Sequence, residues 1–261
     1  SVTTFTKFVV VGHGEHKSAP DAISVGDDVC GGPGFADEDA VRFLRATVNQ
    51  QLGALGPRIL KCVPHPGSCP ERISPQIEEH LPFLSVLTNH SLPGNVLPIM
   101  MQTQTPELGV GLGDALALLA ASGGVWHAEH VLFVFGADLS AGLDAEHTKL
   151  CDERTLEVIT GQGVPQIAKY FADLWAGKKY KGDCGPLALP RGYASLLAAA
   201  RVAATLGLDQ TRSEAASSAW PEGALHHDSH DVPNPMLGLG AALFWKDGGL
   251  PGERLAAQQG R

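Results

Sequence analysis

The chain has no long basic run. Its densest stretch is GKKYK at Gly177–Lys181, 28 acidic residues outnumber 19 basic ones, and the net charge is −9. A nucleic-acid surface needs clustered Lys and Arg to neutralise phosphates, so this balance argues against such a partner; GKKYK reads as a solvated loop. Long apolar runs are also missing: LGDALALLAAS and YASLLAAARVAATLG fall short of the roughly 20 residues a membrane span needs and carry helical periodicity. The opening SVTTFTK lacks a charged segment followed by an apolar one, so neither a leader nor a membrane partner is expected.

Cysteine is sparse. Cys30, Cys62, Cys69, Cys151 and Cys184 are odd in number and widely spaced, with no C-x-x-C pair to suggest a zinc ribbon or a thioredoxin-like site. A reducing compartment, and so the cytoplasm, is the expectation. No G-x-S-x-G elbow, P-loop or complete dinucleotide fingerprint occurs, which sets serine hydrolase, NTPase and dinucleotide enzyme low. GVGLGDALALL has some of the glycine spacing of a fingerprint, but no strand stands directly before it. It reads as the start of a helix.

What is present is an ordinary globular composition, 44% apolar and 18% charged over 261 residues, enough to bury a core unaided. Apolar strands are expected at Thr6–Val11, in RILKCVP, in NVLPIMMQ, in EHVLFVFGADLS and in LGLGAALFW. Helices are expected over Asp37–Leu55, around Pro75–Thr88, in TPELGVGLGDALALLAAS, and over Ala145–Thr160, Val164–Trp175 and Arg191–Leu206. Strands apolar on both faces and separated by helices predict a single-domain α/β sandwich, residues 1–246, whose mixed, largely parallel central sheet is flanked by helices on both faces. Residues 247–261 read as a loose C-terminal tail.

Ligands of such sheets bind where strands run into loops. Two strand ends carry polar groups there: VVVGHGEH, with His13, Glu15 and His16, and FVFGADLS, with Asp138 and Ser140. Two histidines and a carboxylate suit a borderline metal, although alternation along an extended segment would set His13 and Glu15 on one face and His16 on the other. HHDSHD, His226–Asp231, is a short His-rich tract in a Gly/Pro/Ser-rich loop and reads first as solvated. Glu78 and His80, two apart, would not share a helix face.

IEEHLPFL, NVLPIMM and HVLFVFGADLS, in this order, resemble the Memo family, whose members carry Ile-Glu-x-His-Leu-Pro-aromatic and a strand ending in Ser-Asp-x-Ser-His. LCDERTLEVI, GDCGPLALPRGYASLLAAARVAATLG and GLGAALF are similar to its later helix, Cys-Gly motif and closing strand, so the likeness runs from about Phe8 to Trp245. That family is related to the class III extradiol ring-cleaving dioxygenases, which use non-haem Fe(II). The resemblance implies a site at the strand ends and either a metal-dependent oxidoreductase or an adaptor.

Position by position, the family's Gly-Pro-Ser-His-His stretch falls on Gly12–His16, so that Glu15 stands where the first metal histidine is usual and His16 keeps the second. Glu78, His80, Asp138 and Ser140 keep their counterparts, Ala141 replaces a histidine, and the late cysteine ligand falls near Ala219–Trp220. The implied site has His80, Asp138 and Glu78 in catalysis, His13, Ser140, Cys184 and Trp220 toward substrate, and Glu15, His16 and His227 toward metal. The cofactor would be Fe(II), copper or zinc, or none. The partner would be an aromatic or other small substrate or a peptide ligand, with a homo-oligomer open; water activated by Glu15 or Glu78 for hydrolysis or lyase chemistry is a third reading.

Overall fold

The computed structural model describes residues 5–13, 23–26, 38–52, 59–62, 77, 80–87, 95–101, 103–122, 124–180, 184–219 and 236–245. Five strands form the main sheet: β1 (Lys7–His13), β2 (Ile23–Gly26), β3 (Ile59–Cys62), β4 (Val96–Met101) and β5 (Val131–Phe135), in the order β3-β2-β4-β1-β5. β1 runs parallel to both β4 and β5, β2 runs parallel to β3, and β2 meets β4 antiparallel. The mixed, largely parallel sheet expected from the apolar strands is therefore present.

Side-chain alternation along β1 explains its place at the centre. Val9 and Val11 point into one core with Ala40 and Leu44 of α1 (Glu38–Leu52), Leu112 and Leu116 of α3 (Pro106–Ala121), and Ala194 and Ala198 of α6 (Tyr193–Leu206). Phe8 and Val10 point into another, with Ile77 and with Leu84 of α2 (Leu81–Leu87). Both faces of β1 are thus dry, as a central parallel strand requires.

The glycines of GVGLG serve helix packing. A Cβ on Gly109 would lie 2.5 Å from the Ala194 carbonyl oxygen, and one on Gly113 would lie 2.6 Å from Arg201 Cβ. Spaced four apart on α3, they let α6 approach closely, and Arg201 Nε closes the contact by donating to Asp114 Oδ1 at 2.6 Å. The helix starts where expected, with Pro106 in its first turn and Thr105 Oγ1 accepting from the Leu108 N–H.

Beyond β5 the chain forms β6 (Ala141–Leu143), α4 (Ala145–Gly161) and α5 (Val164–Trp175); after α6 come β7 (Gln210–Ala219) and β8 (Met236–Trp245). β6, β8 and β7 build a separate antiparallel sheet in that order. Only β8 was expected. QTRSEAASSA has no apolar alternation to announce a strand, and its pairing with β8, from Gln210↔Trp245 to Ala219↔Met236, is what makes it one.

Cys151 of α4 and Cys184 form a disulfide across 33 residues, a pairing that the cysteine spacing did not suggest. In the GKKYK segment Gly177, Lys178 and Lys179 are exposed, as a solvated loop should be, while Lys178 Nζ and Tyr180 Oη donate to Asp173 of α5 at 2.5 and 2.8 Å. Hydrogen bonds from Lys169, Lys178 and Tyr180 hold the Asp173 carboxyl well below the usual range, while burial and that same carboxylate push Tyr180 up to about 12. Among the described residues, no helix is long and apolar enough to cross a membrane.

Candidate functional site at the β1 and β5 ends

His13 is the last residue of β1, and its neighbour β5 ends at Phe135. Because the two strands run parallel with Val11 opposite Phe135, the chain leaving β5 passes beside His13. The Gly136 N–H extends the pairing by donating to the Val11 carbonyl at 2.7 Å. Two residues later Asp138 arrives, its N–H held by the Arg191 carbonyl at 3.0 Å. His13 Nε2 then lies 3.8 Å from Asp138 Oδ2, with the His13 side chain 8% exposed and that of Asp138 34% exposed. This is ion-pair range and longer than a direct hydrogen bond.

The segment entering α6 backs this pair. Gly192 adopts φ +89°, where only glycine is at ease, and a Cβ there would come within 3.0 Å of His13 Nδ1 and 3.2 Å of Ala137 Cβ. Ser195, fully buried, places its hydroxyl 2.7 Å from the carbonyls of both Gly136 and Gly192. Gln104, after β4, accepts from the Ala194 N–H at 3.0 Å and donates to the Met101 carbonyl at 3.0 Å, and the Tyr193 hydroxyl donates to the Gln104 carbonyl. The ends of β1, β4 and β5 are therefore tied to one helix start. Gly192, Ser195 and Gln104 were not singled out from sequence; the Gly immediately before an Ala-rich helix was the available signal.

The expected site residues fall into separate places. Asp138, expected in catalysis, lies beside His13, which was expected toward substrate. His80 occupies the turn before α2, where its carbonyl accepts from the Leu84 N–H at 3.1 Å. Among the described residues no third histidine, cysteine or acid joins His13 and Asp138 in a metal-sized group, so His80 does not complete the pair. Ser140 is fully buried, its N–H donating to Asp152 Oδ1 of α4 at 2.9 Å. Cys184 is also fully buried with its sulfur committed to Cys151, which corrects its assignment as a substrate-binding thiol. Glu15, His16, Glu78, Trp220 and His227 lie outside the described residues.

Asp152 stands apart from the His13 site among buried polar groups. Its Oδ2, Ser140 Oγ and Thr148 Oγ1, the last one turn earlier on α4, are buried without a hydrogen-bond partner. Burial pushes the Asp152 carboxyl up, and the Ser140 N–H opposes the shift.

No protein-family model matches the chain, and a search of curated proteins finds no match.

Proposed function

We propose that this chain is a Memo-like enzyme of the class III dioxygenase kind, a metal-dependent oxidoreductase acting on an aromatic or other small substrate at the β1 and β5 ends. The observation that supports this reading is the His13–Asp138 pair, 3.8 Å apart at adjacent parallel strand ends, the position where open α/β sheets bind ligands. One imidazole and one carboxylate are the right donor types for Fe(II), copper or zinc. Two donors alone do not make a site, however, and completion would fall to Glu15 or His16, two and three residues after His13 in sequence. No step is therefore assigned to a metal.

The chain's own residues supply orientation and proton handling. Asp138, fixed through its backbone to Arg191, sets its carboxylate 3.8 Å from His13 Nε2, near enough to interact with the ring through charge but too far to fix it by a hydrogen bond. Gly192 closes the ring's other side. His13 is then placed to take or return a proton at Nε2, while the more open Asp138 carboxylate faces an arriving ligand.

Mass-spectrometric metal analysis of untagged protein, with oxygen uptake measured after anaerobic Fe(II) loading, tests this reading. About one metal per chain, lost in both His13→Ala and Glu15→Ala and weakened in Asp138→Asn, is the expected result. A chain that takes up no metal and consumes no oxygen after loading is not this enzyme, and the strand-end site then belongs to a non-catalytic binding or adaptor protein.

A further inference from the structure

β7 occupies the outer position in the order β6-β8-β7, and among the described residues no strand lies beyond it. It is ten residues long and has no proline or lysine. Edge strands usually carry such residues to block pairing with another chain, and a long edge without them is a template for a further strand. The register with β8 shows how its two faces are used. Gly240, opposite Ala215, faces inward, since a Cβ there would meet Leu139 and Leu156 at 2.5 and 3.0 Å. Phe244, opposite Thr211, packs on the α5–α6 core. Alternation therefore turns Arg212 and Glu214 to the outer face, where Leu243, opposite Arg212, is 51% exposed.

We propose that β7 pairs antiparallel with β7 of a second copy of this chain, across a two-fold axis at Ser213, joining the two small sheets into one continuous sheet. Charge identifies the occupant and sets the register. In a two-fold pairing with its axis normal to the sheet, residues opposite each other lie on the same face, so the axis passes through a residue position. An axis at Ser213 sets Arg212 of each copy opposite Glu214 of the other, giving two attractive pairs. Moving the axis one residue either way sets Arg212 against Arg212 or Glu214 against Glu214, and like charges directly across a sheet are destabilising. The rest of the overlap, Ala215 and Ala216 against Thr211 and Gln210, has no side chain large or charged enough to oppose the approach. A peptide from another protein could add to the same edge, but only a second copy carries this self-complementary sequence. Such an interface is isologous, the commonest symmetry for soluble homodimers, and it is independent of the enzymatic reading.

Sedimentation of the full chain over a range of concentrations, with circular dichroism to confirm folding, tests the proposal. Wild type should dimerise. Arg212→Glu and Glu214→Arg should each weaken the dimer by about tenfold or more, since each turns two attractive pairs into two repulsive ones. The double exchange, Arg212→Glu with Glu214→Arg, should restore dimers that form no mixed species with wild type, because 212 and 214 then repel across the mixed interface. A monomeric wild type overturns the proposal. So does a dimer indifferent to both single changes, or a double exchange that mixes freely with wild type.

Discussion

Removing the Cys151–Cys184 disulfide has a cost that follows from chain length alone. The bond closes 33 residues, and the loop-entropy relation assigns such a loop about 3.7 kcal/mol of stabilisation, through fewer conformations of the unfolded chain. In a chain of this size 1 kcal/mol shifts the melting temperature by roughly 2–4 °C, so Cys151→Ala/Cys184→Ala should melt about 7–15 °C below wild type. Both sulfurs are buried, Cys151 at 1% and Cys184 at 0% exposure, and small cavities left by alanine add to the loss rather than offset it. The double variant is the cleaner probe, because a reductant reaches this bond only when the fold opens. Calorimetry gives the shift, and a non-reducing digest after alkylation in denaturant should yield one peptide linking the segments around Cys151 and Cys184. Recovery of both as alkylated thiols, or a variant melting within about 2 °C of wild type, would refute the reasoning. The linked peptide would also count against the reducing compartment expected from the number and spacing of the cysteines.

Asp152→Asn should change the pH dependence of stability. A carboxyl raised by burial binds its proton more tightly in the folded chain, so its stabilising contribution is complete below the unfolded value near 4 and is lost as pH rises through the folded value. Asparagine keeps an oxygen for the Ser140 N–H without that charge, so urea unfolding should show the variant gaining on wild type between about pH 4 and neutrality; parallel profiles would count against a raised Asp152. Gly109→Ala would drive a Cβ to 2.5 Å from the Ala194 carbonyl; overpacking of about 1–3 kcal/mol should outweigh the roughly 1 kcal/mol by which alanine favours a helix over glycine, giving a lower urea midpoint. Ser195→Ala deletes a fully buried hydroxyl shared between the Gly136 and Gly192 carbonyls and should cost about 1–3 kcal/mol by the same assay.

Most of the central sheet was legible because β1, β4 and β5 are apolar on both faces, and only a covered parallel strand tolerates that; β2 was not expected. Val164–Trp175 was legible to the residue, with proline in its first turn and a strong apolar stripe. β7 was not, because its residues are small or polar and its partner is distant in sequence. The same limit applies to the site. His13 and Asp138 could each be read as a polar group at a strand end, but their meeting depends on β5 lying beside β1, a fact of strand order that no local pattern encodes. Likewise the cysteine pair depends on the path of α4 past the residues before α6.

The start of α6 links these separate facts into one physical unit. The helix sits close enough to α3 for Gly109 to matter because Ala194 and Leu197 present small or well-packed groups there. That same close seating brings Gly192 against His13 Nδ1 and lets Ser195 hold the turn leading to Asp138. Gln104, reaching from the end of β4 to the Ala194 N–H, fixes the start of the helix against the sheet. A change that moved α6 outward would therefore loosen the core and separate the contacts around His13 together. Packing and the candidate site are thus coupled through backbone contacts at the start of α6.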